Sequence, residues 1–101
     1  MASSKEYLEY ILEQMPSAVT YRAMMGEYVL YYKGRVFGGI YDDRLLVKPT
    51  KSAVTLLPDA RKELPYEGAK EMLLVEETDD RELLQNLLDA TFSELPAPKK
   101  K

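Results

Sequence analysis

The stretch from Glu27 to Lys48 reads EYVLYY (27–32), KG (33–34), RVFGGIY (35–41), DD (42–43) and RLLVK (44–48). Its three apolar runs are rich in Tyr, Val, Ile, Leu and Phe, side chains that suit a pleated surface. The dipeptides between them are turn signals, because Gly and Asp tolerate the positive φ that tight hairpins need. The stretch therefore predicts three antiparallel strands in a meander. Ala18 to Met25 (AVTYRAMM) is β-branched and aromatic at its start, and Gly26 gives the chain a sharp turn into the next strand. That adds a fourth strand.

Helices flank this sheet in the sequence. Tyr7, Leu8, Ile11, Leu12 and Met15 fall on one helical stripe. Ser3 and Glu6 have the spacing of a capping box at its start, and Pro16 ends it. Thr50 or Ser52 opens a short second helix that Pro58 stops. Asp59 to Gly68 (DARKELPYEG) is polar and reads as a surface loop, and Met72 to Val75 as a short buried strand. Asp79 or Asp80 caps a last helix with Leu83, Leu84, Leu87, Leu88, Thr91, Phe92 and Leu95 on its stripe, ended by Pro96 and Pro98.

The predicted order is α-β-β-β-β-α-β-α: an α+β fold with a two-layer, five-stranded, mainly antiparallel sheet. The first and last helices carry the long apolar stripes and should share one face. At 101 residues and 46% hydrophobic content, the chain is long and apolar enough for one domain, residues 1–98, with its own core. The absence of cysteine removes disulfides, thiolate zinc sites and thiol nucleophiles, and suits a reducing cytoplasm. The N-terminus has neither a long apolar run nor a basic leader, and no stretch approaches the roughly 20 apolar residues of a membrane span. Three of the 14 basic residues are the terminal Lys99-Lys100-Lys101, a basic tail read as frayed; without them 11 cations face 17 anions. So acidic a body makes direct binding to a nucleic-acid backbone unfavourable.

Alternation within the meander is incomplete. One face of Tyr28 to Tyr32 carries Tyr28, Leu30 and Tyr32, the other Val29 and Tyr31. In Val36 to Tyr41, strict alternation sets Val36, Gly38 and Ile40 against Phe37, Gly39 and Tyr41. Both faces are apolar, whereas a sheet with one wet side should alternate polar with apolar residues. Helices can cover one face; a second subunit, a partner or a ligand is a candidate for the other. Gly38-Gly39 leaves a mid-strand dent, either a groove for a ligand or room for a bend, a bulge or a neighbouring Tyr ring.

No histidine is present, which removes the commonest general base and imidazole metal ligands. Asp42-Asp43 and Asp79-Asp80 are isolated pairs at a turn and a helix start, and calcium needs about 6 to 8 oxygens from a shaped loop. No phosphate-binding glycine loop appears. These residues predict neither catalysis, metal nor cofactor. Eight tyrosines against two phenylalanines form a bias, and Tyr21, Tyr28, Tyr31, Tyr32 and Tyr41 fall beside Arg22, Lys33, Arg35 and Arg44. Such interleaving can stack single-stranded bases, but it also suits a protein interface, which the acidic body favours.

Tyr21-Arg22-Ala23-Met24-Met25-Gly26-Glu27-Tyr28, then Gly38-Gly39-Ile40-Tyr41-Asp42-Asp43-Arg44-Leu45-Leu46-Val47-Lys48, resembles the N-terminal domain of the TfoX/Sxy competence regulators. Leu64-Pro65-Tyr66-Glu67-Gly68 and the Glu94-Leu95-Pro96 ending look like the short, stand-alone members. Met25 stands where longer members typically have Phe. The resemblance implies a two-layer α/β sandwich akin to secretion-chaperone folds. It also implies a regulatory association, since full-length relatives act on DNA-uptake genes by assisting a cyclic-AMP receptor protein, and it supplies no catalytic residues.

The expectation is thus a non-catalytic protein-interaction module, with a protein partner such as a transcription factor, or a homodimer. The alternative is a domain that binds a small ligand or single-stranded nucleic acid near Gly38-Gly39. The candidate interface or groove comprises Tyr28, Tyr31, Phe37, Gly38, Gly39, Tyr41 and Arg44.

Overall fold

The computed structural model describes residues 3–24 and 26–95. Met25, the helix-ending Pro96 and Pro98 and the lysine tail lie outside the described residues. The elements are α1 (Lys5–Gln14), β1 (Val19–Met24), β2 (Glu27–Tyr32), β3 (Arg35–Tyr41), β4 (Arg44–Val47), α2 (Lys51–Leu56), β5 (Lys62–Glu63), β6 (Met72–Leu74) and α3 (Arg81–Thr91), then a 3-10 turn Phe92–Glu94. One sheet runs in the order β1-β2-β3-β4-β6-β5, and every neighbouring pair is antiparallel. It has six strands where the sequence predicts five. The extra one, β5, lies inside the stretch read as loop; two residues are too few to show a period.

Both hairpin dipeptides adopt the backbone that their residue types allow. Lys33 and Gly34 have φ of 51° and 85°, and Asp42 and Asp43 have 54° and 57°. Two-residue loops with φ positive at both positions match the twist of the flanking strands, which fixes the register Tyr32↔Arg35 and Tyr41↔Arg44.

Strict alternation fails once, in β3. The β2–β3 register steps from Tyr31↔Val36 to Leu30↔Gly38, so Phe37 is an extra, bulged residue. Val36 therefore shares a face with Tyr41, and Phe37 shares the opposite one with Ile40, contrary to the period-2 reading. That second face is the core: Leu8 and Ile11 of α1, Leu30, Phe37, Ile40, Leu45, Val47, Leu73, and Leu84, Leu87 and Leu88 of α3 form one buried cluster. The first and last helices do share this face.

The caps follow the sequence with one correction. Thr50 and Asp80 accept from the Ala53 and Leu83 amides. At α1, however, Ser4 is the cap, its Oγ accepting from the Tyr7 amide, and the Ser3–Glu6 box does not form. Ser3 is buried and donates instead to Glu27 Oε1 at 2.6 Å, while Glu27 also accepts from the Ser3 and Asp42 amides. These bonds tie the start of the chain to β2 and to the β3–β4 turn.

Two exposed carboxylates fasten the last helical segment. Asp89 accepts from the Tyr32 hydroxyl at 2.8 Å and from Gln85, and Glu94 accepts from the Ser52 amide and hydroxyl. The bonds from Gln85 and then Tyr32 lower the Asp89 pKa; those from Ser52 lower that of Glu94. A carboxyl lowered on folding contributes stability above the ordinary carboxylate range and loses it as pH falls through the lowered value. Carboxyl-carbon NMR titration should therefore give midpoints for Asp89 and Glu94 below those of exposed model peptides. Ordinary midpoints would show that the bonds do not persist in solution.

Candidate functional site

The three helices leave the opposite face of the sheet uncovered. By register that face carries Thr20, Arg22 and Met24 of β1, Val29 and Tyr31 of β2, Val36, Gly39 and Tyr41 of β3, and Arg44 and Leu46 of β4. The chain itself covers part of it. The Arg44 guanidinium pairs with Glu63 and donates to the Leu64 carbonyl at 3.2 Å, which anchors the start of the 64–71 segment. Pro65 of that segment is buried, and the Tyr66 ring sits 6.2 Å from Tyr41, centroid to centroid. Tyr41 and Leu46 are buried on this side.

The candidate residues separate. Phe37 lies in the helix-side core, placed there by the bulge, and Tyr28 is half-buried against that core with its ring edge-on to Tyr21. Gly39 serves packing: a Cβ there would stand 2.6 Å from both the Tyr28 carbonyl oxygen and the Tyr41 ring, so the ring fills the dent. Arg44 is engaged in holding β5 and the loop. Tyr31 is half-buried on the far face, opposite Thr20 and Val36.

Gly38 and Tyr41 do come together, in a cleft of about 470 Å³ between the far face and the 64–72 segment. Val29, Val36, Lys48, Pro65, Tyr66, Lys70 and Met72 also line it. The sequence reading missed its outer wall, because Pro65 and Tyr66 are two apolar residues in a polar stretch read as loop. Their apolarity was the available signal. Burial first, then the neighbouring Tyr66, raises the Tyr41 pKa, so its hydroxyl is a neutral donor near pH 7.

Toward β1 the face opens. Thr20, Arg22 and Met24 of β1 are exposed there, Met24 to 50%, and among the described residues no strand lies beside the outer edge of β1. Among the described residues no group of three or more acidic, His or Cys side chains is arranged to hold a metal, and no helix is long and apolar enough to cross a membrane.

Comparison with known proteins adds the family. The model of the TfoX N-terminal domain matches residues 11–94. A protein of Spirochaeta aurantia described as an uncharacterised 12.7 kDa protein in the trpE 5′ region is 32% identical over 102 residues, covering 98% of this chain and 89% of that protein. No solved structure matches. Neither the family nor the relative suggests catalysis. With its α+β architecture and antiparallel sheet, the chain belongs to the TfoX N-terminal domain family.

Proposed function

We propose that this protein is a non-catalytic, cytoplasmic interaction module of a regulatory kind, which docks a protein partner along β1 and the open part of the far face. The observation that carries the reading is β1 itself. An edge strand without proline, exposed from Thr20 to Met24, offers the outward backbone groups of that stretch to a strand of a partner. Tyr31 and Met24, on the far face beside it, supply apolar contacts of the type enriched at interfaces. Family membership supports a regulatory role, with a transcription factor as the kind of partner that the resemblance implies.

The test is capture of partners from the native cell extract by wild type and by Tyr31→Glu, with sedimentation of each alone. Wild type should retain a partner that the variant loses, with affinity reduced about tenfold or more, because a charge placed at an interface centre is poorly tolerated. Identical partner sets would remove this face from the function. Dimerisation of wild type that Tyr31→Glu abolishes would instead make a second copy the occupant.

A further inference from the structure

We propose that the cleft between the far face and the 64–72 segment binds a small molecule with an apolar body and one carboxylate. The cleft adjoins the proposed docking face at Val29 and Val36, but ligand binding to the isolated chain is read independently of partner capture, so the two readings fail separately.

Three observations carry it. The cleft, about 470 Å³, lies in the size range of small-molecule sites, about 300–1,000 Å³, and Val29, Val36, Pro65 and Met72 give it apolar walls. Tyr41 lines the cleft, and its hydroxyl, which has no hydrogen-bond partner among the described residues, stays open to solvent and so to a ligand. Its ring lies back over Gly39, with the hydroxyl-bearing Cζ 2.9 Å from where a Cβ on that glycine would stand. Gly39 pairs with Val29, a cleft residue, so the Tyr41 ring borders the cleft.

The third observation is charge. In a body with an excess of acidic groups, Lys48 and Lys70 line the cleft with one carboxylate, Glu71. A second, Glu27, acts on Tyr41 from outside the lining, where it is engaged by Ser3 and the Asp42 amide. Neither lysine forms an ion pair among the described residues. A carboxylate accepts from the Tyr41 hydroxyl and is attracted by the two ammonium groups, while the ligand's apolar body covers the valines. A neutral apolar molecule leaves the hydroxyl and the cations unused. A flexible polyanion meets the net negative body beyond the cleft. An apolar monocarboxylate satisfies all three features.

The experiment is a two-dimensional ¹H–¹⁵N NMR titration of the full chain with 3-phenylpropionate, and with the neutral 3-phenylpropanamide as its matched control. Saturable shifts should appear at Gly38, Gly39, Tyr41, Ala69 and Lys70, and the amide should bind about tenfold more weakly, the usual effect of losing a charge-assisted bond. Tyr41→Phe keeps the ring over Gly39 and should weaken the acid severalfold while leaving the amide unchanged. Lys48→Gln with Lys70→Gln, both at solvent-accessible positions, should weaken the acid about tenfold. Absence of saturable shifts up to about 10 mM probe, roughly tenfold above a millimolar Kd, shifts confined to other surfaces, or equal binding of acid and amide would each overturn the proposal.

Discussion

Replacing Gly38 with alanine is expected to destabilise the fold by about 3 kcal/mol or more, the upper part of the range for forced overpacking. Gly38 lies in β3 just after the bulge, opposite Val47 of β4. A methyl group there would overlap the Leu46 carbonyl oxygen and stand 2.8 Å from the Val47 Cα. Ordinary carbon–carbon contacts are roughly 3.5–4.0 Å, and both obstacles are backbone, which no rotamer change removes. Relief requires β4 to move away from β3, and Leu45 and Val47 of that strand are core residues. Urea unfolding should show a markedly lower midpoint, or a chain that does not fold, against a total stability of about 5–15 kcal/mol for such domains. Gly39→Ala adds a control: Tyr41→Ala in the same chain removes the ring contact but leaves the Tyr28 carbonyl at 2.6 Å, so rescue should be partial. A Gly38→Ala protein as stable as wild type would mean that the strands are not held this closely in solution.

The same glycine pair marks how far residue types carry the fold. The meander is legible because Lys33-Gly34 and Asp42-Asp43 permit the positive φ that two-residue hairpins demand, and the chain uses it at all four positions. Thr50, Asp80 and the stripes of Leu8, Ile11, Leu84, Leu87 and Leu88 are legible for a similar reason: local chemistry and a 3.6-residue period coincide with burial. Phe37 is not. A bulge is a relation between two strands, set by how β2 and β3 align, and nothing in RVFGGIY says which residue will be unpaired. β5 is invisible because its two residues pair with a strand ten positions later. The Ser3–Glu6 spacing points to Ser3 as the cap, but Glu27, 24 residues away, takes Ser3 and leaves the cap to Ser4.

The candidate site divides along the same line. Apolar character on both sheet faces is plain in the sequence, and it identifies a surface that the helices leave bare. What covers that surface depends on Arg44, which pairs with Glu63 and so draws Pro65 and Tyr66 over β3 and β4. An arginine in a strand and a glutamate in a polar stretch carry no mark of that pairing. Arg44, a candidate for contacting a partner, thus holds the wall of a cleft, and the open face lies toward β1, where Tyr21 and Arg22 are the only signal in the residue types.

Leu30 and Tyr31 are neighbours in β2 that point to opposite sides, and truncating each should have sharply different effects. Leu30 is fully buried among the core side chains, so Leu30→Ala should cost about 3 kcal/mol or more, the lost transfer energy plus the cavity left behind. Tyr31 is half-buried on the far face, where its losses are cross-strand contacts with Thr20 and Val36, so Tyr31→Ala should cost roughly 1 kcal/mol or less. Urea unfolding of both variants at one temperature, with equal m-values as the check on two-state behaviour, measures the difference directly. A Tyr31→Ala cost as large as that of Leu30→Ala would mean that the far face is a second core, closed in solution by the chain itself. The expected threefold or larger gap instead leaves Tyr31 with little to do for stability. Its aromatic ring would then sit on that face chiefly for what binds there, and loss of a partner in the folded Tyr31→Ala protein would locate the function on a side chain that the fold does not need.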